Sequence, residues 1–135
     1  MLDNYCKINQ IEALTMLDMA KKEILPAALA YANLVMNNLR LKKELGLAVE
    51  HTAVFRLNQK LTELTERLSR DIASLEATMR ALDKSADSLI RSAYYRDYIL
   101  PAMDKLRETA DKLEETVAEE YWPYPTYTEL LFHVK

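Results

Sequence analysis

A single glycine, Gly46, serves all 135 residues, and four prolines accompany it. A sheet protein of this length would need a turn signal every ~8–12 residues. This chain has too few turn residues for that, so its fold class is all-α, with long helices and few connections. Half of the residues are hydrophobic, enough for the core of a single domain over residues 1–135.

Periodicity divides the chain into three helices. From about Asp3 to Glu44 apolar residues recur at Ile8, Ile11, Leu14, Leu17, Ile24, Leu25, Leu29, Ala32, Val35, Met36 and Leu39. Met16, Met19, Ala27, Ala28, Tyr31 and Leu34 widen the stripe, which predicts a helix buried on more than one side. Asp3 or Asn4 is the expected N-cap, and Gly46 the terminator. The second helix is expected from about Thr52 to Asp83, on Leu57, Leu61, Leu64, Leu68, Ile72, Leu75, Met79 and Leu82. That spacing is a bundle seam. The third starts near Ser85 on Leu89, Ile90, Ala93, Leu100, Met103, Leu106, Ala110, Leu113 and Val117. Short connections at Leu45–Val49 and Lys84–Ala86 make neighbours antiparallel, in an elongated bundle.

Ile24-Leu25-Pro26-Ala27 returns as Ile99-Leu100-Pro101-Ala102. Proline inside a helix removes a hydrogen bond and bends the axis. Two kinks in helices running the same way would lie near one level and curve the bundle as a unit; the alternative is coincidence in two Leu/Ala-rich helices.

Catalytic patterns are missing. A carboxylate-bridged metal pair needs Glu-x-x-His on two helices, yet Ala48 precedes His51 by three and Leu130 precedes His133 by three. One glycine cannot make a phosphate loop. Glu114-Glu115 and Glu119-Glu120 are adjacent pairs that diverge on a helix. Cys6 is alone, so there is no internal disulfide; a buried apolar role and a reducing cytoplasm fit it. Catalytic, cofactor and metal site residues are therefore all read as none. The net charge of -3 and pI near 5.5 argue against nucleic acid as a partner. The least charged run, Ile24 to Asn38, is too short for a membrane span and reads as a buried helix segment.

Two aromatic clusters remain. Tyr94-Tyr95-Arg96-Asp97-Tyr98 covers most of a helix's girth. Tyr and Arg are favoured at interface centres, so Tyr94, Tyr95, Arg96 and Tyr98 are candidate interface residues; the bland reading is a bundle end with hydroxyls in water. Residues 121–135 read as a docking tail bearing Tyr121, Trp122, Tyr124, Tyr127, Leu131 and Phe132. It should leave the third helix, turn at Pro123 and Pro125, and fold back. Trp122 is the expected anchor, with Leu131 and Phe132 as a second contact.

Three stretches together carry a resemblance: Ile11 to Ala27, Tyr94 to Met103, and Tyr121 to Tyr127 followed by Leu130-Leu131-Phe132. They resemble the C-terminal helical region of type III glutamine synthetases, the large bacterial form. The chain departs from the family pattern at Tyr124, where Phe is expected, and at Thr128-Glu129, where Gly-Asp is expected. The resemblance implies that Met1 lies inside a longer parent, a cytoplasmic ring-shaped homo-oligomer. That parent would ligate ammonia to glutamate through a γ-glutamyl phosphate, using ATP with Mg or Mn bound upstream. None of those site residues maps here, so this piece would be non-catalytic, without cofactor, and would support or join catalytic domains and subunits. The competing reading is a free-standing helical adaptor that self-associates or binds a partner helix. Coding sequence upstream of Met1 and in phase with it would decide between them.

Overall fold

The computed structural model describes residues 1–125. The first rod is α1 (Leu2–Met19), a π-helical turn (Ala20–Ile24) and α2 (Leu25–Glu44). The second is α3 (Ala53–Arg80). The third is α4 (Ser88–Tyr94), a π-helical turn (Tyr95–Ile99) and α5 (Leu100–Thr116), and a 3-10 turn at Glu119–Tyr121 follows. Among the described residues there is no strand. The middle rod α3 packs along both α2 and α5, while α1 lies against α4. No helix among the described residues is long and apolar enough to cross a membrane.

The boundaries follow local chemistry. At the end of α2, Gly46 takes φ 76; its N–H bonds the Lys43 carbonyl and the Leu47 N–H the Lys42 carbonyl. This is the paired closure that a left-handed residue permits. Thr52 Oγ1 accepts from the Phe55 N–H at 3.3 Å and so starts α3. That rod ends at Arg80 rather than Asp83, because the Asp83 carboxylate accepts from the Ser85 N–H at 2.9 Å and from the Ser85 hydroxyl at 2.7 Å. Such a side-chain turn competes with helix continuation. Asp87, whose carboxylate accepts from the Ile90 N–H at 2.9 Å, caps the third rod. Neither Asp3 nor Asn4 is an N-cap, since α1 already begins at Leu2. Asp3 instead accepts from the Ser88 hydroxyl and from Arg91 at 2.9 Å. The Ser88 hydrogen bond above all, then Arg91, holds its carboxyl below the usual range.

The core is centred on α3. Leu61, Leu64, Leu68, Ile72 and Leu75 are buried as the seam predicts. The third rod corrects the expected stripe: Leu89 and Ile90 are exposed, while Ser92, Tyr95, Ile99 and Met103 face inward. A π turn widens the helical repeat, so residues four apart stay on one face. Counting back from Leu100 at the α-helical period picks the wrong side. The first rod has the same device in the same register. Each π turn ends two residues before its proline, and the N–H of the residue just before the proline reaches five residues back, Leu25 to Ala20 and Leu100 to Tyr95. Leu17, Ala20, Ile24 and Ala28 are buried at the spacing of Ser92, Tyr95, Ile99 and Met103. The sequence echo is therefore also a structural one.

The two prolines are nevertheless staggered rather than level. Asp3 meets Ser88 and Tyr31 packs against Tyr121, so the rods pack at a register of about 85–90 residues, whereas the prolines are 75 apart. The offset is about 10–15 residues, or roughly 15–20 Å at ~1.5 Å per residue.

The first rod also corrects the expectation of burial on more than one side. Its inward face is made mainly of small residues, Cys6, Ala13, Ala20, Ala28 and Ala32, with Leu17, Ile24 and Val35. Ile8, Ile11, Leu14, Leu29, Leu34 and Met36, all large and apolar, are about half exposed.

Candidate functional site

Among the described residues no three His, Cys, Asp or Glu gather to hold a metal ion. His51 lies in the α2–α3 connection at φ 64, and His133 lies outside the described residues. Cys6 is buried beside Tyr95. Burial first, and the Cys6 sulfur second, push the Tyr95 phenol above its ordinary value.

The tyrosine cluster divides between core and surface. Tyr95 is 3% exposed and belongs to the core. Tyr94 donates its hydroxyl to the Thr78 carbonyl at 2.6 Å, tying the third rod to α3. Tyr98 is 60% exposed, with its ring 5.0 Å from that of Tyr94, and Arg96 faces solvent paired to Asp97 at 2.9 Å. Of these four, Arg96 and Tyr98 are exposed among the described residues.

The C-terminal turn is built more fully. Val117 adopts extended backbone and ends α5 while its N–H still bonds the Leu113 carbonyl at 2.8 Å. The 3-10 turn is closed by the Trp122 N–H to Glu119 at 3.1 Å. Tyr121 packs against Tyr31 of α2 with its ring tilted by 52°, at 5.4 Å between ring centroids. Trp122 is 9% exposed and meets Tyr124 edge to face at 6.3 Å. Tyr124 lies beside Glu23, with Asp18 next along. From Tyr121 to Tyr124 the neighbours thus step from Tyr31 back towards Asp18, so the chain has reversed along the first rod. Tyr127, Leu131 and Phe132 lie outside the described residues.

Trp122 Nε1 and the Tyr124 hydroxyl are enclosed without a hydrogen-bond partner among the described residues. Burial, then the Glu23 carboxylate, push the Tyr124 phenol well above its ordinary 10.0. A group raised on folding contributes stability in full below its unfolded value, and loses it as pH rises through the folded one. Trp122 emission should therefore shift to the red above about pH 10, and Tyr124→Phe should remove part of that change. Identical alkaline profiles for the two proteins would refute this placement of Tyr124.

A second feature, which the sequence reading missed, is the outer face of the first rod. Leu29, Leu34 and Met36 are 52%, 49% and 48% exposed, within a run from Ile24 to Asn38 that contains no charge. The available signal was the spacing of Ala13, Ala20, Ala28 and Ala32, small residues that mark the packed side.

Residues 1–43 match the family described as glutamine synthetase C-terminal domain. The whole chain is 32% identical over 139 residues to a glutamine synthetase of Butyrivibrio fibrisolvens, covering 100% of this chain and 19% of that protein. The chain is similar to the C-terminal domain of glutamine synthetases. A glutamine synthetase of Bacteroides fragilis (strain YCH46) is 28% identical over 138 residues, covering 97% of this chain and 18% of the relative. A type-3 glutamine synthetase of Dictyostelium discoideum is 25% identical over 144 residues, covering 95% and 18%. The chain spans about a fifth of the length of these glutamine synthetases, and the type III form named from the sequence is carried by one of the three.

Proposed function

We propose that this chain is a non-catalytic helical module of a cytoplasmic glutamine synthetase. It joins or props the parts that bind ATP with Mg or Mn and ligate ammonia to glutamate. One observation carries the reading: the first rod turns small residues inward and large apolar ones outward, over a stretch free of charge. Leu29, Leu34 and Met36 contribute little to this chain's own core. Charge depletion around exposed apolar side chains is the composition of an interface centre, and the remaining four fifths of the relatives' length offers the partner. Replacing Leu29, Leu34 and Met36 together by Glu should leave the isolated chain's stability within about 0.5 kcal/mol per site, as for other surface changes. The same triple change in the glutamine synthetase polypeptide should abolish its assembly. Normal assembly of the triple variant would refute the reading. Self-association of the isolated chain through this face would favour the free-standing adaptor instead.

The prolines are part of the same proposal. Each bends its rod where the π turn has already opened the hydrogen-bond ladder, so the outer face is curved to fit its partner. Pro26→Ala with Pro101→Ala should lengthen the isolated chain's maximum dimension in solution scattering; an unchanged dimension would mean that the rods are already straight.

A further inference from the structure

The N-terminal half of α1 gathers cations at its seam with the third rod. Asp3, Cys6, Lys7 and Gln10 follow one another at steps of three, one and three, so they share one face of α1. Arg91 and Tyr95, four apart, come from the third rod. The α3–α4 connection adds Leu82 and Lys84, and the Asp83 carboxylate bound to Ser85 fixes the backbone on either side of Lys84. Together these side chains line an open hollow of about 400 Å³. We propose that this hollow binds a small dianion, a molecule carrying either a phosphate or two carboxylates, held chiefly by Lys7, Lys84 and Arg91. It lies at the opposite end of the first rod from Leu29, Leu34 and Met36, so the proposal stands whatever covers that face.

Charge is the first argument. The chain as a whole carries a net charge of -3, yet the hollow sets three cations against one carboxylate, Asp3. That carboxylate is already answered, since it accepts from the Ser88 hydroxyl and from Arg91 Nη2 at 2.9 Å. Lys7 and Lys84 form no ion pair among the described residues. The positive excess of two is complementary to a dianion. The second argument is an incomplete donor set. Arg91 Nε is enclosed without an acceptor among the described residues, and such groups are rare because leaving them unpaired is costly. The Arg91 side chain is 29% exposed, so its guanidinium has room to turn Nε towards a ligand oxygen. The third argument is the floor. Cys6 and Tyr95 are buried and Leu82 is half-buried, and charges attract more strongly beside an apolar floor than in open water. The Tyr95 hydroxyl and the Gln10 amide add neutral donors. Burial raises the Tyr95 phenol, which keeps it protonated at neutral pH. The volume lies within the range of small-molecule sites.

The test titrates the full chain with sodium phosphate, and separately with sodium malonate, at an ionic strength held constant with sodium chloride. The backbone amide signals of Cys6, Lys7 and Lys84 are followed. At least one of the two anions should shift them saturably, and which one does so tells a phosphate ligand from a dicarboxylate. Lys7→Ala with Lys84→Ala should weaken that binding at least about tenfold, as two unit charges a few ångströms from the ligand are lost. Both side chains are exposed, so the fold should survive the change. Lys42→Ala with Lys43→Ala, which removes two charges from the far end of the same rod, should leave the titration unchanged. The absence of a saturable shift with either anion would overturn the proposal. So would binding that the Lys7 and Lys84 changes leave intact, or that the Lys42 and Lys43 changes weaken as much.

Discussion

Trp122→Ala is expected to lower the isolated chain's melting temperature by about 10 °C. The change removes an aromatic side chain that is 9% exposed and packed among the rods and Tyr124. Truncating a buried Trp costs ~3–5 kcal/mol. At roughly 3–4 °C per kcal/mol for a domain of this size, the low end of that range gives the stated shift. The low end applies because the residue sits on a terminal segment that can partly relax. Emission from Trp122 in dilute monomer should be blue-shifted. A melting temperature within a degree of wild type, with red emission, would mean that the tail serves another surface.

Leu68→Ala should cost more, about 3–5 kcal/mol, read as a fall in the denaturant midpoint. Leu68 is fully buried on α3, which packs against both other rods, and a cavity there is walled by two helices that cannot both close in. Its informative control is Leu34→Ala, an equally large apolar truncation on the outer face, expected to cost under about 0.5 kcal/mol. Equal costs would contradict the placement of Leu34 outside the core.

Much of the fold is legible in the sequence, for a reason visible in α3. Its knobs alternate with charge, so period and face are both marked: Leu61, Leu64, Leu68, Ile72 and Leu75 are buried as expected, and Leu57, Met79 and Leu82 at the ends are half-buried against the core. In the first rod apolar residues surround the helix, and hydrophobicity alone cannot say which side is inward. Size does: alanines mark close packing, and leucines on the opposite face await something else. In the third rod Leu89 and Ile90 are misread because the π turn at Tyr95–Ile99 changes the repeat between them and Met103. A local widening of this kind has no sequence mark beyond the proline after it. The buried Thr109, whose hydroxyl donates to Asp71 at 2.5 Å across the rods, was likewise hidden. A threonine at a core position of a helix reads as surface until its partner is seen. Among the candidate residues, Tyr95 differs from Tyr98 only by helical phase, and that phase is set by the same π turn.

We propose that the charge-free stretch of the first rod, Ile24 to Asn38, is where this module meets the rest of a glutamine synthetase. Side-chain footprinting with hydroxyl radicals tests it most directly, by comparing Leu29, Leu34 and Met36 in the isolated chain and in the assembled enzyme. The account predicts ready modification in isolation and strong protection in the assembly, with Leu68 protected in both. Equal modification of Leu29, Leu34 and Met36 in the two states would contradict it.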